Sequence, residues 1–219
     1  MIFWFWFILK EDPHPEPRGA TALAFLLGAV AVLLSYYGET GLEIIGFNSQ
    51  NTPKAYFFYS ALVEEFFKFA LVALVIFRLR VFDEPVDAMV YMGFAALGFA
   101  FSENFLGLAN LENGSLSTIF IVALLRSLGA NFLHMLASIL IGFGYIYSKL
   151  TRRLFPFGFS AAMAVILHFI YNLFIIQDGL TFYIFPILWA VFFVVLKEFD
   201  LIKLKNERVI LPSTSRTAG

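Results

Sequence analysis

Residues 56–77 have the sequence YFFYSALVEEFFKFALVALVIF, an apolar run that contains Glu64, Glu65 and Lys68 near its middle. A helix of about 20 apolar residues crosses the hydrocarbon core of a membrane, so this run predicts a transmembrane helix. A charged side chain at that depth costs roughly 3 kcal/mol on insertion scales. Three such side chains therefore indicate a functional site inside the membrane.

The three charges occupy defined positions on this predicted helix. Ser60, Glu64 and Lys68 are four residues apart and share one face. Glu65 lies about 100° away and still reaches Lys68 at the i+3 spacing. One lysine cannot neutralise two carboxylates, so one acid keeps a proton or turns toward water or another helix. The alternative interpretation is a polar clamp that only holds helices together.

The composition is that of a polytopic membrane protein. Of the 219 residues, 60% are hydrophobic, 29 are Phe and 14% are charged, which is more apolar surface than a soluble domain of this size buries. A formal net charge of −1 gives no indication of a nucleic-acid partner. Because cysteine is absent, disulfides, cysteine nucleophiles and thiolate metal sites are excluded.

Six apolar runs predict six full transmembrane helices, over residues 20–37, 56–77, 88–108, 118–148, 158–176 and 180–196. The first nine residues are also apolar, but nine helical residues reach only about 13 Å. They predict a short N-terminal segment, which is a partial first helix, an interfacial anchor or the remnant of a longer helix. The predicted fold class is therefore all-α, a polytopic transmembrane helix bundle. One domain covers residues 1–196, and a mobile cytoplasmic tail covers residues 197–219.

The connectors between these runs are predicted from their polar and helix-breaking residues. Residues 38–53 predict a loop, and residues 111–117 and 177–179 predict polar turns. The run 118–148 is longer than one crossing needs. This length predicts a tilt, a kink near Gly129, or a start outside the hydrocarbon.

Lysine and arginine are distributed very unequally between the two predicted membrane faces. One face has twelve of them, in the connectors after alternate spans and in the tail, whereas the other has only Lys54. This bias predicts that the tail and the charged connectors are cytoplasmic.

Polar side chains recur in three further predicted spans. Asn131 and His134 belong to a stripe that begins at Ser127 and ends at Ser138, at steps of four, three and four residues. The complete set outside the Glu-Glu helix is Glu103, Asn104, Arg126, Asn131, His134, His168 and Asn172. Four helices thus present acids, imidazoles or amides to a common interior, which favours a catalytic site over single structural histidines.

Several hydrolytic mechanisms are excluded by the sequence. It has no Gly-x-Ser-x-Gly elbow, no cysteine and no His-Glu-x-x-His pair. All aspartates lie in predicted loops, including Asp87 at the edge of a span, so a paired intramembrane aspartate site is not expected. A carboxylate general base that activates water remains, with imidazoles to move protons or stabilise an oxyanion.

These residues resemble the PrsW family of bacterial intramembrane proteases, over residues 10–172. The motifs that carry the resemblance are Glu64-Glu65-x-x-Lys68, Phe82-Asp83-Glu84-Pro85-x-Asp87 with Tyr91, Gly98-Phe99-Ala100-x-x-Glu103-Asn104, His134, and His168-x-x-x-Asn172. The wider clan includes the CAAX prenyl-protein proteases, which have a histidine at the position of Glu103. The glutamate here favours the PrsW branch.

The resemblance implies a glutamate-dependent intramembrane endopeptidase of a prokaryotic cell membrane. Its substrate would be a membrane-anchored protein, and PrsW relatives are associated with site-1 cleavage of an anti-sigma factor on the outer side. Carried over to this chain, Glu64 or Glu65 would be the base, with the other acid held by Lys68. Glu103 and His134 would complete water activation.

Further roles also follow from the resemblance. His168 and Asn172 would steady the oxyanion, and the remaining amides, Asn104 and Asn131, would support the site.

No cofactor is predicted, with a zinc site as the alternative in which Glu103, His134 and His168 are the ligands. The rival functions are a proton-coupled transporter and a non-catalytic scaffold in which acids pair with Lys68 and Arg126. The absence of visible internal repeats argues against the transporter.

Overall fold

The computed structural model describes residues 1–109, 115–177 and 181–210, and the regular structure of this part of the chain is helical. Its α-helices are α1 (Ile2–Glu11), α2 (Arg18–Ile44), α3 (Pro53–Val75), α4 (Asp87–Ala109), α5 (Leu116–Leu128), α6 (Ala130–Thr151), α7 (Phe155–Ile176) and α8 (Ile184–Ile210). The all-α prediction is confirmed.

Among the described residues, four stretches are long and apolar enough to cross a membrane. They are Arg18–Ile44, Asp87–Leu108, Ile119–Thr151 and Phe155–Ile176, and they contain four of the six predicted spans. The other two predicted spans lie in α3 and α8, each of which carries several charged side chains. The count of six spans therefore stays a prediction.

Several predicted boundaries differ from the structure. Helix α2 continues to Ile44, so the predicted loop 38–53 begins as helix, because residues 38–44 contain no proline to end it. Helix α8 likewise continues beyond residue 196 to Ile210, through the first part of the predicted tail. Residues 111–114, 178–179 and 211–219 of the predicted turns and tail lie outside the described residues.

The long predicted span 118–148 is divided into α5 and α6 at Gly129, as the predicted kink required. A Cβ atom at this position would lie 2.7 Å from the hydroxyl oxygen of Tyr171 on α7. Glycine therefore leaves room for the Tyr171 side chain of α7 at this position.

The short helix α1 packs inside the bundle. Trp4, Phe7 and Ile8 are buried, and the Trp4 ring stacks on Phe132 of α6 with centroids 4.3 Å apart. The Met1 ammonium donates a hydrogen bond of 2.9 Å to the Ser127 hydroxyl. One face of α1 is thus part of the core, and its relation to the membrane stays a prediction.

Helix α4 is the centre of the bundle and packs closely against α2. Residues 86–100 are buried throughout. A Cβ at Gly28 would lie 1.8 Å from the Ala95 carbonyl oxygen, and one at Gly98 would lie 1.9 Å from the Phe25 carbonyl oxygen. These two glycines let the backbones touch, which is the usual device for packing helices in a membrane.

The connector between α1 and α2 is fixed to the start of α4. The Asp12 carboxylate accepts hydrogen bonds of 3.0 Å from the backbone N–H groups of His14 and Glu16. The Tyr91 hydroxyl donates to the Glu16 carboxylate. Burial raises the pKa of Glu16, against the opposing effect of its hydrogen bonds with Asp87 and Tyr91.

Candidate active site

Glu65 and Lys68 of α3 form a fully buried ion pair. Their exposed fractions are 1% and 0%, and Lys68 Nζ lies 2.5 Å from Glu65 Oε1. The ammonium also lies 4.4 Å from the centre of the Phe99 ring. Ser138 of α6 donates to the other oxygen, Glu65 Oε2, over 3.2 Å. Both oxygens of Glu65 therefore have fixed partners.

His168 of α7 is oriented by the same carboxylate. Its Nδ1 lies 3.0 Å from Glu65 Oε1. A carboxylate accepts hydrogen bonds, so Nδ1 carries the proton and Nε2 keeps a free lone pair. That Nε2 faces Glu64 Oε2 at 3.6 Å. A carboxylate that holds a histidine in this way is the common partner of a metal-binding imidazole.

His134 of α6 lies between a lysine and a carboxylate. Its Nδ1 is 3.0 Å from Lys68 Nζ, and its Nε2 is 2.9 Å from Glu103 Oε2. Because an ammonium can only donate, Nδ1 accepts and the neutral ring donates its Nε2–H to Glu103. The His134 and His168 rings meet edge to face, with centroids 4.8 Å apart.

A polar network from α4, α5 and α6 surrounds Glu103. Arg126 pairs with Glu103 Oε1 at 2.8 Å and donates through Nε to Asn104 Oδ1 at 2.5 Å. Asn104 in turn donates to Asn131 Oδ1 at 2.6 Å. Asn104 thus holds the arginine that pairs with Glu103, and Asn131 holds Asn104.

Glu64 differs from these groups because part of its carboxyl is free. Its Oε2 atom is buried and has no hydrogen-bond partner among the described residues. Its Oε1 lies 3.4 Å from the Ser60 hydroxyl, which donates to Glu39 Oε1 at 2.5 Å. Glu39 was not predicted as a site residue. Glu39 is four residues after Ser35 and lies on the same face of α2. It was missed because the predicted span ended at residue 37, before Glu39.

Several of the side chains described above line one cavity of about 520 Å³. This volume lies in the range of ligand sites in proteins. Its polar lining includes Glu39, Glu64, Glu103, Arg126, His134, His168 and Asn172. Glu65 and Lys68 lie behind this surface, so they can orient the lining groups but do not themselves face the cavity.

The predicted catalytic and supporting residues lie close together in the structure. Some of them line the cavity, and the others lie behind its surface. Glu64, Glu103, His134, His168 and Asn172 reach the cavity. Glu65, Lys68, Asn104 and Asn131 hold the groups that reach it. Of the two adjacent acids, Glu64 is thus the one available to a substrate or an ion.

Glu64, His134 and His168 are also the group that could hold a metal ion. One ligand atom from each lies within 4.8 Å of the other two. The unpartnered Glu64 oxygen and the free His168 Nε2 fit a cation, and two nitrogens with one oxygen are a common donor set of catalytic zinc. His134 would exchange one of its present contacts for the ion.

The zinc alternative from the sequence named a different set of ligands. Its acid, Glu103, is already engaged by Arg126 and His134. The group of three contains Glu64 in its place.

Comparisons with known proteins show which family the chain resembles. A family model described as "PrsW family intramembrane metalloprotease" matches residues 16–196. The Protease PrsW of Geobacillus kaustophilus (strain HTA426) is 31% identical over 169 residues, which are 76% of this chain and 72% of that protein. The Protease PrsW of Oceanobacillus iheyensis (strain DSM 14371 / CIP 107618 / JCM 11309 / KCTC 3954 / HTE831) is 31% identical over 210 residues, 94% of this chain and 92% of that protein.

No solved structure matches the chain. The matched family is described as a metalloprotease, and the three donors fit a metal ion. Both observations favour the zinc alternative over the prediction that the protein needs no cofactor.

Proposed function

Because this chain belongs to the PrsW family of intramembrane metalloproteases, we propose that it is an endopeptidase that hydrolyses a peptide bond of a membrane-anchored protein within the bilayer. The observation that carries the proposal is the free Glu64 oxygen, which is buried and faces the free nitrogen of His168 in a large cavity. A buried carboxyl oxygen without a partner is costly, which indicates that a ligand or a reacting group satisfies it during function.

In the proposed site, Glu64, His134 and His168 hold a divalent metal ion, with zinc as the first candidate. The chemistry that such an ion would supply, when bound, is a lower pKa for a water molecule and polarisation of the substrate carbonyl group. Glu64 therefore acts as a ligand in this proposal, although the sequence favoured it as the base.

Glu103 takes over the role of general base. It lines the cavity, and its side chain is 39% exposed, which makes it the more accessible acid. Arg126 and His134 each donate to one of its oxygens, which leaves lone pairs to accept a proton from the attacking water and return it to the leaving amine. The mechanism thus remains dependent on glutamate.

Two further groups position the reacting atoms. Glu65 holds His168 Nδ1, so that Nε2 points into the cavity. Lys68 keeps Glu65 charged and in place. Asn172 lines the cavity beside His168, and we assign to its amide the stabilisation of the developing oxyanion.

The position of the cavity supports cleavage near the outer leaflet. Its lining includes Tyr56 and Ser60 at the start of α3 and Ile176 at the end of α7. These helix ends lie opposite the basic connectors, which the lysine and arginine bias assigns to the cytoplasm. We therefore propose a six-span protein of the cell membrane with a cytoplasmic C-terminus. A single-pass regulatory protein of the anti-sigma type is the substrate class that the resemblance implies.

The test uses the full chain, purified in lipid nanodiscs, with a single-pass reporter protein. We expect about one zinc ion per chain by elemental analysis. We also expect cleavage to stop after chelation and to return when zinc is added. Full cleavage by metal-free protein would contradict the metal site and leave the carboxylate-only mechanism. Absence of zinc together with absence of cleavage of any single-pass protein would contradict the proposed function itself.

A further inference from the structure

A second cavity, which we name the α7–α8 groove, shares no lining residue with the candidate active site. Its volume is about 320 Å³, and eight of its ten lining residues are apolar. On α7 the lining residues Phe159, Met163, Ile166 and Ile170 follow steps of four, three and four, which is one face of a helix. The groove therefore runs along two neighbouring helices.

The walls of this groove face outward, toward where the bilayer lies. Phe159 is 53% exposed and Val194 is 50% exposed, whereas Leu167 at the base is 6% exposed. An apolar groove on the outer surface of a transmembrane bundle is in contact with lipid chains. Its shape alone therefore indicates an acyl chain as the occupant, without selecting any particular lipid.

Glu198 adds a chemical preference to this surface. It lies four residues after Val194 on the same face of α8 and lines the groove. Its Oε2 atom is buried, with no hydrogen-bond partner among the described residues. A carboxyl group left in apolar surroundings is costly unless a donor or a cation meets it. At one end of the groove, a carboxyl oxygen of Glu198 thus lacks a hydrogen-bond donor among the described residues.

That end lies where a lipid headgroup would be. Phe159 and Ser160 belong to the first two turns of α7, which follows the basic residues Lys149, Arg152 and Arg153. Glu198 lies two residues beyond the last predicted span. The lysine and arginine bias assigns this end of the bundle to the cytoplasmic leaflet, where basic side chains attract headgroup phosphates.

We propose that the α7–α8 groove is a binding site for a phospholipid with a primary ammonium headgroup, such as phosphatidylethanolamine. One acyl chain lies along the apolar face of α7, and the ammonium donates to Glu198. An ammonium neutralises the charge of the carboxylate and also supplies three hydrogen-bond donors. A glycerol headgroup supplies hydroxyl donors but no positive charge, so a phosphatidylglycerol of the same chains binds less well.

The test is native mass spectrometry of the delipidated full chain, titrated with phosphatidylethanolamine or phosphatidylglycerol of identical acyl chains. We expect the wild type to retain phosphatidylethanolamine at about tenfold lower lipid concentration. Equal retention of the two lipids by the wild type would overturn the proposal, whatever any variant shows.

Two variants and one control locate the site. Glu198→Gln is expected to remove the preference for phosphatidylethanolamine, and Met163→Trp to lower the retention of both lipids by filling the groove. Asp200→Asn changes an exposed acid on the same helix and is expected to keep the wild-type preference. The proposal would be contradicted if Glu198→Gln kept the preference for phosphatidylethanolamine. It would also be contradicted if the same spectra showed a second copy of the chain bound in place of the lipid. None of these readouts depends on proteolysis.

Discussion

Two adjacent glutamates of α3 show how the surroundings of a residue decide its task. Glu65 receives donors from three helices, namely Lys68, His168 and Ser138. Glu64 points to the cavity and leaves one oxygen without a partner. Glu65 therefore fixes the positions of other side chains, whereas Glu64 has a carboxyl oxygen available to an ion or a reacting molecule.

The first prediction concerns Glu64. Glu64→Gln is expected to lower the cleavage rate of a single-pass reporter by about 100-fold or more, because the amide no longer supplies an anionic oxygen to the site. The thermal stability of the metal-free variant in detergent is expected to match that of the metal-free wild type, since the substitution breaks none of the hydrogen-bonded ion pairs described above. Both quantities are measured on the same preparations.

The control for this prediction is Glu43→Gln, an exposed acid on α2 that is expected to leave cleavage unchanged. Glu65→Gln is a useful companion, expected to lower cleavage and zinc affinity by about 10–100-fold, because His168 loses its orienting partner. Wild-type cleavage by Glu64→Gln would show that this carboxyl group has no part in the reaction.

The second prediction concerns the buried ion pair. Lys68→Met leaves the Glu65 charge without its cation, and the loss of one partner of a buried pair costs about 3–5 kcal/mol of unfolding free energy. The double variant Glu65→Gln/Lys68→Met removes both charges and is expected to recover part of this loss. Denaturant titration of the wild type, the two single variants Glu65→Gln and Lys68→Met, and the double variant gives the coupling between the two residues. An unchanged stability of Lys68→Met would contradict the inferred role of the pair.

At the scale of helices, the accuracy of sequence prediction differs between parts of the site. The stripe that contains Asn131 and His134 follows from helical spacing alone, and the structure places both residues at the site. Glu39 could not be found in this way, because its role depends on where α2 ends and on contact with Ser60 of another helix. The choice of Glu64 over Glu103 as a candidate ligand likewise depends on distances between helices. The spacing of residues along one helix cannot predict these distances.

The third prediction concerns the contact between α2 and α4. Gly28→Ala would place a Cβ 1.8 Å from the Ala95 carbonyl oxygen, and backbone cannot yield as a side chain can. We expect a loss of about 1–3 kcal/mol or more in unfolding free energy.

Gly19→Ala on the same helix is the matched control, since a Cβ there meets nothing within 4 Å. This substitution is expected to be neutral or to stabilise the protein by about 0.4–1 kcal/mol. Equal stability of the two variants would mean that α2 and α4 are farther apart than described.

The fourth prediction concerns the connector between α1 and α2. Burial raises the pKa of Glu16, so the folded protein binds this proton more tightly than the unfolded chain. The resulting stabilisation is fully present below the ordinary pKa of 4.5 and is lost as the pH rises through the raised value. We expect the unfolding temperature to fall with rising pH in this window, and less steeply in Glu16→Gln. Identical slopes in both proteins would contradict the prediction.

Considered as a whole, the molecule concentrates negative charge in its interior. Glu39, Glu64, Glu65 and Glu103 meet around the cavity, and the cations that pair with them are Lys68 and Arg126. When all of these groups are ionised, the described site has two more negative than positive charges. Two protons retained by these carboxyl groups, or one divalent metal ion, would balance this excess.

The meeting of Glu65 with His168 also bears on how the enzyme is made. The two residues are 103 positions apart in the chain, and α7 is inserted long after α3 during synthesis. Until the ribosome has delivered α7 to the membrane, the nascent protein has no imidazole at that position and cannot complete the proposed site. The proposed site can therefore form only after residue 168 has been synthesised and α7 has packed against α3.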